Sequence, residues 1–172
     1  RKIAEVNGII AIPEVAGKLG YLAAQAAMVE GMVKGMEVGG RHFGPYFVPD
    51  RRLLYAAHVL SQQFYPELVA NIRDLGGSSM IMMPSSAADF GNPVTAGYID
   101  KTQRSPVVQP KDRVKLFKLA WDAVGSEFGS RHAQYEMFYA GGPFVTRGRA
   151  FQSYDWDSVT GMVDRVMSSY DL

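Results

Sequence analysis

From Glu14 to Val38 the apolar residues Val15, Leu19, Leu22, Ala26, Val29, Val33 and Met36 recur at steps of three and four. That is the period of one helix face, not of a strand, whose side chains alternate every two residues. The pattern returns in three more places. Leu53, Leu54, Ala57, Leu60, Phe64, Leu68, Val69 and Ile72 predict a helix from Arg51 to about Asp74, N-capped by Asp50 and kinked at Pro66. Val114, Phe117, Trp121, Val124, Phe128, Tyr135 and Phe138 predict one long helix over Arg113–Tyr139. Val159, Met162, Val163, Val166 and Met167 predict a last helix from about Asp157 to Tyr170, with these residues inward. No alternating stretch of useful length, repeat or low-complexity tract interrupts them. The chain's 172 residues are enough for one domain with a real core. The expectation is therefore a single all-α domain over 1–172, an up-and-down bundle of long helices.

The connections are legible too. Gly39 to Asp50 reads as a loop, and Gly76 as the glycine just past a helix end. A short helix is expected near Val94 to Lys101, followed by a linker through Pro106 and Pro110. Ala140-Gly-Gly-Pro-Phe144 should stop the long helix, and a polar connection should precede the last one. Gly17, Gly20, Ala24, Ala27, Gly31 and Gly35 form a second stripe on the first long helix, the spacing that lets another helix approach closely. Membrane helices use the same device. Here Glu14, Lys18, Glu30 and Lys34 argue instead for tight packing in a soluble bundle.

Charge and composition exclude some partners. A net charge of +1 points neither to nucleic acid nor to an anionic membrane. Without cysteine there is no disulfide or thiolate metal site. His42, His58 and His132 lie too far apart in sequence for a self-contained zinc motif. Ile9-Ile-Ala-Ile-Pro13 is too short for a signal segment, so a cytoplasmic location is expected. The chain starts at Arg1 within what reads as structure, and is expected to be a piece of a longer protein.

Chemistry is harder to find. Gly125-Ser-Glu-Phe-Gly-Ser-Arg-His132 interrupts the long helix pattern with two glycines four apart. Each interior glycine costs a helix about 1 kcal/mol relative to alanine, so a helix or a ligand should come close there. Ser126, Glu127 and His132 do not make a triad, because Ser126 and His132 do not share a helix face. Glu127 and Arg131 have the spacing of an i,i+4 ion pair. Arg131 and His132 stand between anion binding and structural roles. Gly76-Gly-Ser-Ser79 lacks the lysine of a phosphate loop and follows a helix C-terminus, the wrong dipole end for phosphate. On physical grounds it reads as a cap. Met80, Met82 and Met83 make an adaptable apolar surface, by default a buried loop.

Taken together, the motifs resemble a known family. The run from Arg113 to Gly141, with Trp121-Asp122, Ser126-Glu-Phe-Gly129, Arg131-His132 and Tyr135-Glu136, is similar to the C-terminal helical domain of the 4-hydroxyphenylacetate 3-hydroxylase family. Leu75-Gly-Gly-Ser-Ser-Met-Ile-Met-Met-Pro-Ser85 with Asp89, the early Ala/Gly-rich helix, and Met162 to Asp171 fit the same family in the same order. The resemblance implies an acyl-CoA-dehydrogenase-like architecture, with a helical domain and a β-barrel ahead of this bundle and a homotetramer formed through it. It implies a two-component monooxygenase of aromatic catabolism. Such an enzyme takes FADH2 from a separate NAD(P)H-dependent flavin reductase and uses O2, through a C4a-hydroperoxyflavin, to hydroxylate a phenol ortho to its hydroxyl.

The resemblance also implies site residues. Gly125, Ser126, Glu127, Phe128, Gly129, Ser130 and Arg131 would lie against the flavin, with Ser126 and Ser130 as hydroxyl donors. Phe128 would wall the ring or, equally, pack in the core. Gly76, Gly77 and Ser78 would approach the adenine end of FAD, often across a subunit interface. No catalytic residue and no metal ligand is assigned, and this piece alone should not hydroxylate. The substrate ranges over hydroxyphenylacetate, chlorophenols, simple phenols and tyrosine-like compounds among similar proteins. Two other readings are a non-catalytic assembly module and a domain like that of 4-hydroxybutyryl-CoA dehydratase, an iron–sulfur flavoprotein of the same fold.

Overall fold

The computed structural model describes residues 1–171. It contains α1 (Lys2–Val6), α2 (Pro13–Val38), a hairpin of β1 (Arg41–Phe43) and β2 (Tyr46–Val48), and α3 (Arg51–Gly76). Then come α4 (Pro93–Thr102), α5 (Pro110–Val124), α6 (Glu127–Phe138), α7 (Pro143–Ser153) and α8 (Trp156–Met167). Two 3₁₀ turns, Gly77–Met80 and Ala87–Phe90, lie between α3 and α4. The all-α reading holds. No helix is long and apolar enough to cross a membrane among the described residues.

Prolines and caps set where these helices begin. Pro13, Pro93, Pro110 and Pro143 open α2, α4, α5 and α7, at a position whose N–H has no partner inside the helix. Asp50 caps α3 as expected, its Oδ1 accepting from the Leu53 N–H at 2.9 Å. Pro66 sits inside α3, which nonetheless continues through it to Gly76. The residue with positive φ is Gly77 (52°), one position later than the predicted helix stop. Two further boundaries differ from expectation. The loop at 39–50 contains the hairpin, pairing Arg41 with Val48 and Phe43 with Tyr46. The polar connection before the last helix is itself helical, as α7.

α3 is the spine, with α1, α2, α5, α6 and α7 all packing on it. The apolar core is small: Val6, Met80, Phe117, Ala120 and Val124 cluster against Val69 and Ile72 of α3. Polar side chains complete the packing. Gln62, 8% exposed, donates from Nε2 to the carbonyls of Met137 (2.7 Å) and Gly141 (2.8 Å), while its Oε1 accepts from the buried Thr146 hydroxyl (2.7 Å). One amide thus fixes the end of α6 and the start of α7. On the α2 side, Gln25 donates to Glu67 Oε2 at 2.7 Å.

The expected single helix over 113–139 is broken. α5 ends at Val124, Gly125 follows it, and Ser126 is an extended N-cap for α6 (φ −71°, ψ 163°). Ser126 Oγ accepts from the Gly129 N–H at 3.0 Å and donates to the Asp122 carbonyl at 2.7 Å. Gly129 lies so close to the end of α5 that a Cβ on it would stand 2.6 Å from the Ala123 carbonyl oxygen. A Cβ on Gly125 would stand 2.6 Å from the Trp121 ring. Gly129 therefore serves a tight corner between the α5 and α6 backbones, and Gly125 makes room for the Trp121 ring.

The break divides the predicted stripe. Val114, Phe117 and Val124 are buried on α5, although Trp121 of the same stripe is exposed, and Phe128, Tyr135 and Phe138 on α6 are exposed too. Two other stripes do not pack as expected. Met162, Val163, Val166 and Met167 of α8 are exposed, since among the described residues no element packs extensively on that helix. On α2, Gly17, Gly20 and Gly31 have open space where a Cβ would be, and only Gly35 meets a neighbouring helix, at Leu53.

Gln62→Leu is expected to destabilise the protein by about 2–3 kcal/mol, because it leaves the Met137 and Gly141 carbonyls without their donor, while the Thr146 hydroxyl falls back on the Pro143 carbonyl. The midpoint of thermal unfolding should fall, while Gln63→Leu, exposed and one residue on, should leave it nearly unchanged. Gly129→Ala is expected to cost about 2 kcal/mol or more by forcing the α5–α6 corner apart. Gly17→Ala, in open space on a helix of the lone chain, should be neutral or stabilising by up to about 1 kcal/mol when the isolated chain is melted.

Candidate functional site

The start of α6 inherits its orientation from the corner. Ser126 and Gly129 hold the new helix so that positions 128, 132, 135 and 139 share one outward face. Phe128 is 77% exposed and Tyr135 60% exposed, so core packing within the chain does not account for Phe128. The Phe128 and His132 rings stack at 6.3 Å, His132 and Tyr135 at 6.2 Å, and Tyr135 and Tyr139 at 6.0 Å, all within 22° of parallel. Tyr65 of α3 meets His132 edge-on at 6.5 Å, and His58 meets Tyr139 edge-on at 6.0 Å. A row of exposed rings backed by a second helix is a surface suited to a flat aromatic group, through stacking and edge contacts.

The polar atoms around that row are partly committed. The Ser126 proton is given to the Asp122 carbonyl, so its hydroxyl offers a ligand only a lone pair. Ser130 and Arg131 are exposed, and Arg131 Nη1 lies 3.8 Å from Glu127 Oε1 across water-exposed surface. His132 Nε2 stands 3.3 Å from Glu136 Oε1. Burial, helped by the nearby charge of Arg149, holds the His58 imidazole below its ordinary pKa, so it is neutral at pH 7.

Gly76, Gly77 and Ser78 lie at the far end of α3, where a hydrogen-bond network holds the chain. Asn7 Nδ2 donates to the Leu75 carbonyl at 2.9 Å, and the Ser79 hydroxyl donates to Asn7 Oδ1 at 3.0 Å. Arg113 Nη2 donates to Ser79 Oγ at 2.6 Å, and its Nη1 to the Val6 carbonyl at 3.0 Å. The Arg113 guanidinium lies 4.9 Å over the Phe117 ring, and burial lowers its pKa. Asn7 and Arg113 carry no periodic signal, and sequence reasoning missed both. The one available sign was a basic residue in the first turn of α5, where the helix dipole favours acids.

The two predicted segments are brought to opposite ends of α5. Arg113 in its first turn reaches Ser79, beside Gly76 to Ser78. At its last turn the Val124 carbonyl accepts from Arg73 Nε of α3 at 2.9 Å, immediately before Gly125. The helix between them has 15 residues, a length of roughly 22 Å. An extended ligand lying along α5 would meet a backbone turn with exposed Gly77 and Ser78 at one end and the aromatic row at the other.

Comparison with known proteins gives the family and the fold. The chain is 38% identical over 133 residues to the 4-hydroxyphenylacetate 3-monooxygenase oxygenase component of Pseudomonas aeruginosa, covering 74% of the chain and 26% of that protein. It is 40% identical over 113 residues to the 4-nitrophenol 2-monooxygenase oxygenase component of a Rhodococcus species, covering 63% and 22%. The crystal structure of a 4-hydroxyphenylacetate 3-monooxygenase oxygenase component complexed with FAD and 4-hydroxyphenylacetate superposes with a TM-score of 0.90 at 26% identity, over 96% of this chain and 35% of that one. A 4-hydroxybutyryl-CoA dehydratase from N. maritimus superposes with a TM-score of 0.85 at 15% identity, a likeness of fold alone. The chain thus spans about a fifth to a third of the length of these relatives. The family described as 4-hydroxyphenylacetate 3-hydroxylase, C terminal, matches residues 1–168. With the match running from the first helix through α8, the chain belongs to the 4-hydroxyphenylacetate 3-hydroxylase family and corresponds to its C-terminal domain.

Proposed function

We propose that this chain is the flavin-binding and subunit-assembling part of an FADH2-dependent monooxygenase that hydroxylates a phenol ortho to its hydroxyl. The observation that carries the reading is the exposed aromatic row of α6, which begins at Phe128 and is oriented by the Ser126–Gly129 corner. It fits a flavin: the rings offer a flat, largely apolar wall, and the Ser126 lone pair and the Ser130 hydroxyl lie at its edge. When bound, reduced flavin supplies the activation of O2.

The chain's own residues bind and shield. Phe128 and Tyr135 cover one side of the ring system and exclude water from it. The Ser126 cap keeps that wall fixed relative to α5. Gly77, at positive φ with nothing near it, and Ser78 present backbone and hydroxyl to the adenine end of the dinucleotide. The open small-residue face of α2 supports close packing against another subunit, which fits a homotetramer. A flavin reductase supplies the reduced cofactor, and the phenol is held by parts of the protein outside this chain.

Titration of the full-length protein with FADH2 tests this. Phe128→Ala combined with Tyr135→Ala should weaken reduced-flavin binding at least tenfold and lower coupled hydroxylation, with the subunit assembly retained. Unchanged affinity and turnover in an intact assembly would instead make the chain an assembly module only. The isolated chain, supplied with FADH2, O2 and a phenol, should give no catechol by chromatography. Product formation there would show that the substrate site lies within it.

A further inference from the structure

At the opposite end of α3 from Gly76 lies a basic cleft. A cavity of about 550 Å³ is lined by Arg41 of β1, Arg51 and Arg52 in the first turn of α3, Phe43, Val48 and Pro49. A second, of about 300 Å³, is lined by Arg51, Tyr55, Arg149 and Gln152. Arg51 and Ser153 line both, so the two form one continuous depression between the hairpin, α3 and α7. The lining holds four guanidinium groups and one carboxylate, Asp50, one of whose oxygens is occupied capping α3. Among the described residues none of the four arginines forms an ion pair.

Four guanidiniums without a carboxylate partner repel each other in one depression, Arg149 giving one N–H to the Ala140 carbonyl at 3.2 Å, and the positive end of the 26-residue α3 adds to their field. An anion relieves this. Guanidinium forks match phosphate oxygens in pairs, so more than one phosphate is needed to engage them all. Beside Arg41, Phe43, Val48 and Pro49 give an apolar wall, and the larger cavity has the size of small-molecule sites.

We propose that this cleft binds a diphosphate-bearing anion of the nucleoside diphosphate class, with Arg51 and Arg52 on the diphosphate, Arg149 and Arg41 flanking it, and the base against Phe43 and Pro49. The site stands at the far end of α3, roughly 39 Å of helix from Gly76. It does not depend on the flavin reading of α6.

Calorimetric titration of the full-length protein with ADP, inorganic diphosphate and adenosine is the test. ADP and diphosphate should bind once per chain and weaken as salt is raised, whereas adenosine should bind at least tenfold more weakly than ADP. Arg51→Gln with Arg52→Gln should weaken ADP at least tenfold, and Arg104→Gln, exposed and outside the cleft, should not. If the double variant fails to fold, Arg149→Gln and Arg41→Gln, each a single exposed side chain, should each weaken ADP measurably. ADP binding that persists in the FAD-loaded protein identifies a free nucleotide as the ligand. Binding lost on FAD loading identifies the ADP half of the dinucleotide, and moves its adenine end from Gly77 and Ser78 to this cleft. The proposal is overturned if neither ADP nor diphosphate binds at millimolar concentration, if the arginine variants bind ADP normally, or if they change only the oligomeric state.

Discussion

Two polar side chains on α3 decide where the neighbouring helices end. Gln62 takes the carbonyls of Met137 and Gly141, and Arg73 takes that of Val124. Carbonyls at a helix end have no partner within the helix, and burying them unpaired costs more than a hydrogen bond returns. A single spine that satisfies them therefore fixes both ends of α6 by geometry. The small apolar cluster around Phe117 supplies packing without direction. The amide and the guanidinium supply the direction.

The α5–α6 corner follows from that constraint. With Arg73 holding the last carbonyl of α5, the chain must turn within two residues, and Ser126 and Gly129 are the residues that permit it. Ser126 replaces the missing helical bonds, and Gly129 removes the atom that would collide with Ala123. The consequence for chemistry is rotational. A continuous helix would have carried Phe128 and Tyr135 on the same buried face as Phe117. The corner turns them outward, where a flavin is proposed to lie.

Much of the fold was legible because helical periodicity is a strong signal over long segments. α2 and α3 formed where their apolar spacing placed them, although Ala26, Val29 and Val33 of the α2 stripe are exposed and Gln25 is the residue buried there, and Asp50 was recognisable as a cap. The corner was not legible as a corner, because Val114 through Phe138 keeps helical spacing across it and the glycines fit either a ligand or a turn. The hairpin has strands of three residues, too short for alternation to show. The motif around Ser126 pointed to the family, and the family match spans nearly the whole chain. The network of Asn7, Ser79 and Arg113 joins residues more than thirty positions apart, and nothing local in the sequence announces such pairings.

In the proposed assembly, cover on the open glycine face of α2 and the bare apolar stripe of α8 would make this chain's stability a collective property. Covering them with any surface present only in the folded protein adds a term that grows with the logarithm of that surface's concentration. In that proposed assembly the same sequence would have one melting temperature when dilute and another when assembled. Substitutions on α8 that touch nothing within the chain can still act on its abundance.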